Sequence, residues 1–385
     1  MSAPGQSRQI QSLITQEGKL ELSIAAVDLP EPGPDEIIVR IEAAPINPSD
    51  LALLTGPADL STAQASGTAD SPVLTADISP KLMGMVAGRI GEPMAVGNEA
   101  GGVVVAAGSS AAAQGLVGKT VGIAGGEMFA QYRCVNAMMA LPMPEGVTPA
   151  QAASSFVNPM TALGMVETMR DEGFTALVHT AAASNLGQML NRICIADGID
   201  LVNIVRKPEQ EEILRELGAK YVVNSSADSF ADDLTAAIEA TGAYLAFDAT
   251  GGGHMANTIL TCMERAATKG MEYNRYGSDT LKKVYVYGRL DLSPIQLTAA
   301  YGFAFSVSGW LLTPFLQRIG IPRMIELRER VAAEINTTFA SHYTAEVSME
   351  EALSLDTLRV YSQRQTGQKY LINPHKQGSS RISGE

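Results

Sequence analysis

Val178-His179-Thr180-Ala181-Ala182-Ala183-Ser184-Asn185-Leu186-Gly187 is the stretch that decides the fold. A β-prone apolar run from Thr175 to His179 ends in a string of small residues, and a helical pattern from Asn185 to Ala196 follows at once. Small residues let a backbone come close to a pyrophosphate. The helix N-terminus then offers that anion N–H groups and the positive end of a dipole. Of the usual G-x-G-x-x-G pattern only Gly187 keeps its glycine; Ala182 and Ser184 or Asn185 fill the earlier places, with Leu186 in the first helical turn. Taken alone, the stretch reads equally well as a tight turn of any α/β fold, so its surroundings decide.

Downstream, strands and helices alternate. Leu201–Val205, Tyr221–Val223, Tyr244–Phe247 and Val284–Tyr287 have strand patterns; Pro208–Leu217, Phe230–Ala240 and Ala256–Ala267 have helical ones. Such alternation implies a doubly wound parallel sheet covered by helices on both faces. In a dinucleotide fold the residue that holds the adenosine ribose sits ~20 residues beyond the loop. Here Arg206 lies nineteen residues beyond Gly187 and is followed by Lys207. A cation there attracts a 2′-phosphate and favours NADP(H) over NAD(H). The other reading is a solvated Arg-Lys pair after a strand. Thr250 and Gly251, which end the fourth strand, and Gly288, which ends the fifth, are further cofactor candidates, because ligands of open α/β sheets gather at the carboxyl ends of the strands. Gly288 also suits a plain turn. Phe305–Leu311 holds the only Trp and reads as an edge strand pairing across a dimer or as a core strand.

Upstream, the chain reads as short strands with many turns. Glu36–Ala44 alternates apolar and charged residues, as a half-buried strand does. Residues 57–93 read as a long surface loop with one short helix, in which Met83, Met85 and Arg89 either line a substrate cleft or pack locally. Tyr370-Leu-Ile-Asn-Pro374 reads as a final strand returning to the first domain.

Bulk properties narrow the function. The chain has 385 residues, enough for two domains, and a net charge of −13, which disfavours nucleic acid and anionic membrane as partners. Cys134, Cys194 and Cys262 form no CxxC pair and read as small buried hydrophobes in a reducing cytoplasm. No apolar run reaches the ~18 residues of a membrane helix, and Met1–Gln16 lacks the apolar core of a signal peptide. The four histidines show no metal-binding spacing.

Several stretches, in this order, resemble the medium-chain dehydrogenase/reductase superfamily, especially its zinc-free quinone oxidoreductase and enoyl reductase branch. They are Ile46-Asn-Pro-Ser-Asp50, Gly97-Asn-Glu-Ala-Gly-Gly-Val103, Leu141-Pro-Met-Pro-Glu-Gly146, Val157-Asn-Pro-Met-Thr-Ala162, the loop at 181–187, Leu217-Gly-Ala219 and Phe247-Asp-Ala-Thr-Gly251. The resemblance implies a GroES-like catalytic domain from residues 1–152 and 312–385, a Rossmann NADP(H)-binding domain at 153–311, an active site in the cleft, and a homodimer. The places of the catalytic zinc ligands fall at Ile46 or Asn47, Asn98 and Val157, none of which is a thiolate or imidazole, so no metal is expected. Without zinc, hydride delivery to an activated C=C or a quinone is easier than reduction of a plain ketone, because the conjugated oxygen of the substrate accepts the charge. A zinc-free alcohol dehydrogenase or carbonyl reductase, and a non-catalytic NADPH-binding protein, are the alternatives. By likeness, Asn47 hydrogen-bonds the substrate carbonyl, Asp50 shares the site and Thr161 lies near the cofactor. Each has a structural alternative: an Asx-turn for Asn47, a helix N-cap for Asp50, a helix-interior hydroxyl for Thr161. Ala52 and Ala58 stand where related reductases place tyrosines, so the sequence names no proton donor.

Overall fold

A computed structural model describes residues 4–363 and 367–377. The chain divides into two compact units, one built from Met1–Val157 with Arg328–Glu385, the other from Asn158–Leu327. These divisions fall inside the helices Val157–Asp171 and Leu312–Ala333, five and sixteen residues beyond the expected boundaries at 152/153 and 311/312. Changes of sequence pattern mark where elements begin, whereas the division follows how they pack.

The contiguous unit is a six-stranded, all-parallel sheet. Ala176–His179 and Leu245–Asp248 lie at its centre. Asp200–Val205 and Tyr221–Asn224 extend it on one side, Lys282–Val286 and Phe305–Gly309 on the other. This is the Rossmann order, and it reverses between Ala176–His179 and Leu245–Asp248. The inner strands are short apolar runs largely buried on both faces, as a parallel sheet requires, while the edge strands Tyr221–Asn224 and Phe305–Gly309 are only partly buried. The helices follow the predicted pattern: Asn185–Asp197, Pro208–Glu216, Phe230–Thr241 and Met255–Ala267. Phe305–Gly309 closes one end of the sheet, so its outer edge has no strand partner among the described residues.

The discontinuous unit is the GroES-like, β-rich body. Glu36–Pro45 organises it. This strand pairs antiparallel with Glu99–Ala107 along one side, and with Tyr132–Asn136 and Tyr370–Ile372 along the other. The last pairing, Leu371 opposite Pro45 and Ile372 opposite Ala44, brings the chain back to its first hundred residues as the sequence predicts.

Residues 57–93 depart from expectation. They form no long loop but a hairpin, Ala58–Thr68 and Ser71–Ile78, added to Lys19–Asp28, followed by a 3-10 helix at Pro80–Arg89. The Ser- and Ala-rich composition masked a strand whose outer face is solvated, while Ala63, Leu74, Ala76 and Ile78 face the core. Met83 packs against that core, and Met85 is exposed. The Arg89 guanidinium donates to Leu53 O at 3.0 Å and Ser12 Oγ at 2.8 Å, tying the 3-10 helix to the body. Cys194 and Cys262 are buried as expected, whereas Cys134 is only half-buried, its thiol 3.7 Å from Glu36.

Candidate functional site

Two groups of residues, one in each unit, are candidates for a functional site. In the Rossmann unit, the strand Ala176–His179 runs into the small-residue loop at the point where strand order reverses. Ala182 N donates to Ile204 O at 3.2 Å, so the loop rests on the end of the neighbouring strand, just before Arg206. Ala182 and Ala183 are buried, and Ala181 takes a left-handed φ of 51°. Ser184 is the N-cap of Asn185–Asp197, its hydroxyl accepting from Gly187 N at 3.1 Å, with Asn185 and Leu186 as the first two helical residues. A side chain at Gly187 would stand 2.2 Å from Ala182 O, so the remaining glycine of the motif lets helix and loop touch. A bare cradle at a helix N-terminus, opening at the switch point, suits a dinucleotide pyrophosphate.

The other predicted cofactor residues of this unit separate into pairs. Arg206 and Lys207 are both exposed, and Gln210 caps their backbone N–H groups through its side-chain oxygen. Ser226 Oγ donates to Arg206 O at 2.9 Å, fixing the backbone beneath an unhindered guanidinium. Thr250 N and Gly251 N donate to the Asp248 carboxylate at 2.8 and 3.2 Å, and Thr180 Oγ1 donates to it at 2.9 Å, locking the two central strand ends together. The structure brings Gly251 and Gly288 together: a Cβ on Gly251 would stand 2.1 Å from Gly288 O. Thr161 is buried in the helix Val157–Asp171. His179, which the sequence reading left without a role, is fully buried, and its Nε2 lies 2.7 Å from the Tyr287 hydroxyl. Burial pushes this imidazole down to about 3, so it is neutral and fixes the residue before Gly288.

In the β-rich unit, two of the three places that zinc ligands would occupy, Asn47 and Val157, converge on the Glu99 carboxylate, and the third, Asn98, meets Asp50. Glu99 Oε1 accepts from Asn47 Nδ2 at 2.9 Å, while Oε2 accepts from Phe156 N at 2.9 Å and Val157 N at 2.8 Å. Asp50 does not cap the helix Leu51–Leu54 with its side chain; it accepts instead from Asn47 N at 2.7 Å and Asn98 N at 2.8 Å. Asn47, Asp50 and Glu99 are all at most 2% exposed. Burial raises both carboxyls, Asp50 to about 7, with hydrogen bonds and Lys369 opposing. This donor set does not fit a zinc ion: the amide of Asn47 and the backbone N–H groups present hydrogens to Glu99, and neither a thiolate nor an imidazole joins them.

Lys369, Ser154 and Tyr343 extend the cluster. The fully buried Ser154 hydroxyl lies 2.6 Å from Lys369 Nζ and 3.0 Å from the Tyr343 oxygen. Burial lowers the Lys369 amine to about 8 against the pull of Glu99 and Asp50, and burial raises the Tyr343 phenol. The sequence reading missed Glu99, Ser154, Tyr343 and Lys369. The one local signal is Glu99 opening an apolar run, Glu-Ala-Gly-Gly-Val-Val-Val105. Its partners lie more than fifty residues away, and only pairing of Tyr370–Ile372 with Glu36–Pro45 brings Lys369 near.

Comparison with known proteins agrees with this geometry. The family profile described as zinc-binding dehydrogenase matches residues 186–270. Over 213 residues the chain is 29% identical to the mitochondrial enoyl-[acyl-carrier-protein] reductase of Xenopus tropicalis, covering 52% of this chain and 51% of that protein. It is 24% identical over 283 residues to a mycocerosic acid synthase-like polyketide synthase of Mycobacterium tuberculosis, covering 73% of this chain but only 12% of the synthase. Its fold is similar to that of a candidate NADPH:quinone reductase from Mesorhizobium loti, with a TM-score of 0.71 at 23% identity, covering 97% of this chain and 100% of that one.

Proposed function

We propose that this chain, whose residues 186–270 match the family profile described as zinc-binding dehydrogenase and whose fold is similar to that of an NADPH:quinone reductase, is a zinc-independent, NADPH-dependent reductase of activated C=C bonds or quinones within the medium-chain dehydrogenase/reductase superfamily. The observation that carries this reading is the small-residue cradle at the switch point of the Rossmann sheet, resting on the strand that leads to Arg206. The names of the similar proteins, an enoyl reductase and an NADPH:quinone reductase, point to the same chemistry.

In this reading the unit 158–327 holds the cofactor. Ala182, Ser184, Asn185 and Leu186 meet the pyrophosphate, Arg206 with Lys207 the 2′-phosphate, and Thr161, Thr250, Gly251 and Gly288 the remaining edge. When bound, the reduced nicotinamide supplies a hydride. Asn47 and Asp50 belong to the substrate side. The Asn47 side chain is held by Glu99, so its orientation is set before any carbonyl arrives, and Asp50 fixes the turn that carries it. Support for zinc independence is the donor chemistry around Glu99. An exposed guanidinium that pairs with a phosphate contributes about 1.5–3 kcal/mol, so Arg206→Asp is expected to cut kcat/KM for NADPH about ten- to a hundredfold and leave NADH nearly unaffected. An unchanged NADPH/NADH ratio in steady-state assays with enones, enoyl thioesters and quinones would remove Arg206 from the site.

We further assign the free edge of Phe305–Gly309 to a homodimer contact. Exposed Phe303 and Leu311, which flank that strand in sequence, supply apolar surface beside it. The cysteine usage, with Cys194 and Cys262 as buried thiols, supports a reducing cytoplasm.

A further inference from the structure

The cofactor reading above divides a dinucleotide between the two sides of the strand-order reversal. With the pyrophosphate on the loop 181–187 and the 2′-phosphate at Arg206, the adenosine half belongs to the side of Asp200–Val205. The nicotinamide half is then left to the side of Leu245–Asp248 and Lys282–Val286, where Thr250, Gly251 and Gly288 stand. We propose that Thr180 and Asp248 are the positioning residues of that half: a buried hydroxyl–carboxylate bond between the two central strands sets the turn Ala249–Gly251 that receives it. This inference rests on the cofactor assignment of the reductase reading.

The hydrogen bonds single out these two residues. Each is 1% exposed. Thr180 Oγ1 donates to Asp248 Oδ1 at 2.9 Å and accepts from Ala249 N at 2.7 Å. Asp248 Oδ1 also accepts from Thr250 N at 2.8 Å, and Oδ2 from Gly251 N at 3.2 Å. The N–H groups of Ala249, Thr250 and Gly251 are thus all directed onto one pair of side chains, and the turn closes with Gly251 at a left-handed φ of 67°. A buried carboxylate is costly unless its donors are in place, so the carboxylate and the turn fix each other.

The turn in turn carries the end of the next strand. Leu290 N donates to Ala249 O at 3.2 Å and Asp291 N to Thr250 O at 2.9 Å. A Cβ on Gly251 would stand 2.1 Å from Gly288 O, and one on Gly288 would stand 2.7 Å from Ala249 O. Contact this close means that a displaced turn displaces Gly288 with it. The loop 181–187 is anchored independently, by Ala182 N on Ile204 O at 3.2 Å and Gly187 N on Ser184 Oγ at 3.1 Å. Loss of the Thr180 hydroxyl therefore loosens one side of the site and spares the other.

The test reads that asymmetry with two probes on the full chain. Thr180→Val keeps the branched shape and removes the hydroxyl. In isothermal titration calorimetry its affinity for NADPH is expected to fall about tenfold. Affinity for adenosine 2′,5′-bisphosphate, which has the adenosine half alone, should stay within about twofold, and Thr180→Ser should restore NADPH binding. Equal weakening of both probes, or of neither, overturns the proposal. Amide hydrogen exchange reads the turn without ligand. The Ala249, Thr250 and Gly251 amides should exchange faster in Thr180→Val while those of Ala182 and Gly187 do not change; unchanged protection of the turn also overturns it. Should Thr180→Val not fold, Asp248→Asn sets an amide group against Gly251 N–H and should give the same split between the two probes. A wild-type chain that binds neither probe refutes the cofactor reading, and with it the role of the pair. Amide exchange then reports only whether the two side chains hold the turn.

Discussion

Gly187 stands against the carbonyl of Ala182 so closely that a single methyl group would force the helix Asn185–Asp197 away from its loop. Gly187→Ala should therefore lower stability by about 1–3 kcal/mol in urea unfolding and weaken NADPH binding in parallel. A variant with wild-type affinity would show that loop and helix need not touch. Asp50 tests burial instead of space. Its carboxyl is pushed up to about 7 from an ordinary 3.8. Between those values the folded chain keeps a proton that the unfolded chain has released, so this group costs folding free energy as pH rises through the window. Asp50→Asn removes the ionisation. The unfolding free energy of the variant relative to the parent should climb from pH 4 to pH 7; a flat difference would mean that the carboxyl ionises as freely folded as unfolded. Single residues were the least legible level of the sequence. Arg206 stands out in the sequence because a fixed spacing from the loop points to it. Glu99, Ser154 and Lys369 act through each other across 55 to 270 positions, and no periodicity records such a meeting.

Elements were read more faithfully, for a physical reason. In the Rossmann unit the inner strands are largely buried on both faces and each helix on one, so apolar pattern and structure coincide to within one or two residues. The hairpin at 58–78 shows where that logic weakens. It lies at the sheet margin, its first strand mostly solvated, and small polar residues there carry no two-residue apolar alternation. Yet it is packed. Leu74 is fully buried in the core of the β-rich unit. Leu74→Ala should cost about 2–5 kcal/mol, whereas a residue in a mobile surface loop would change stability by no more than about 0.5 kcal/mol. Thermal and urea unfolding separate the two outcomes.

For the whole molecule, the open edge of Phe305–Gly309 bears on assembly. Phe303 and Leu311, which flank that strand, are 78% and 66% exposed, apolar surface that a second copy would cover. If the proposed homodimer forms there, the double substitution Phe303→Glu with Leu311→Glu should give a folded monomer in sedimentation velocity, with the parent sedimenting as a dimer. An unchanged sedimentation coefficient would place the contact elsewhere. Chain order has a further effect, on the birth of the protein at the ribosome. The unit 158–327 is one continuous segment and can close as soon as it has emerged. The β-rich unit cannot, because Glu36–Pro45 waits for Tyr370–Ile372, which with its neighbour Ala345–Val347 is made roughly two hundred residues after the unit's other strands, or about 10–40 seconds at ordinary rates of synthesis. During that interval Glu99 and Asp50 have no lysine beside them, and the end of Glu36–Pro45 lies uncovered. The nascent chain thus passes through a stage in which its later-made half is finished and its earlier-made half is open, the period in which it most needs a chaperone.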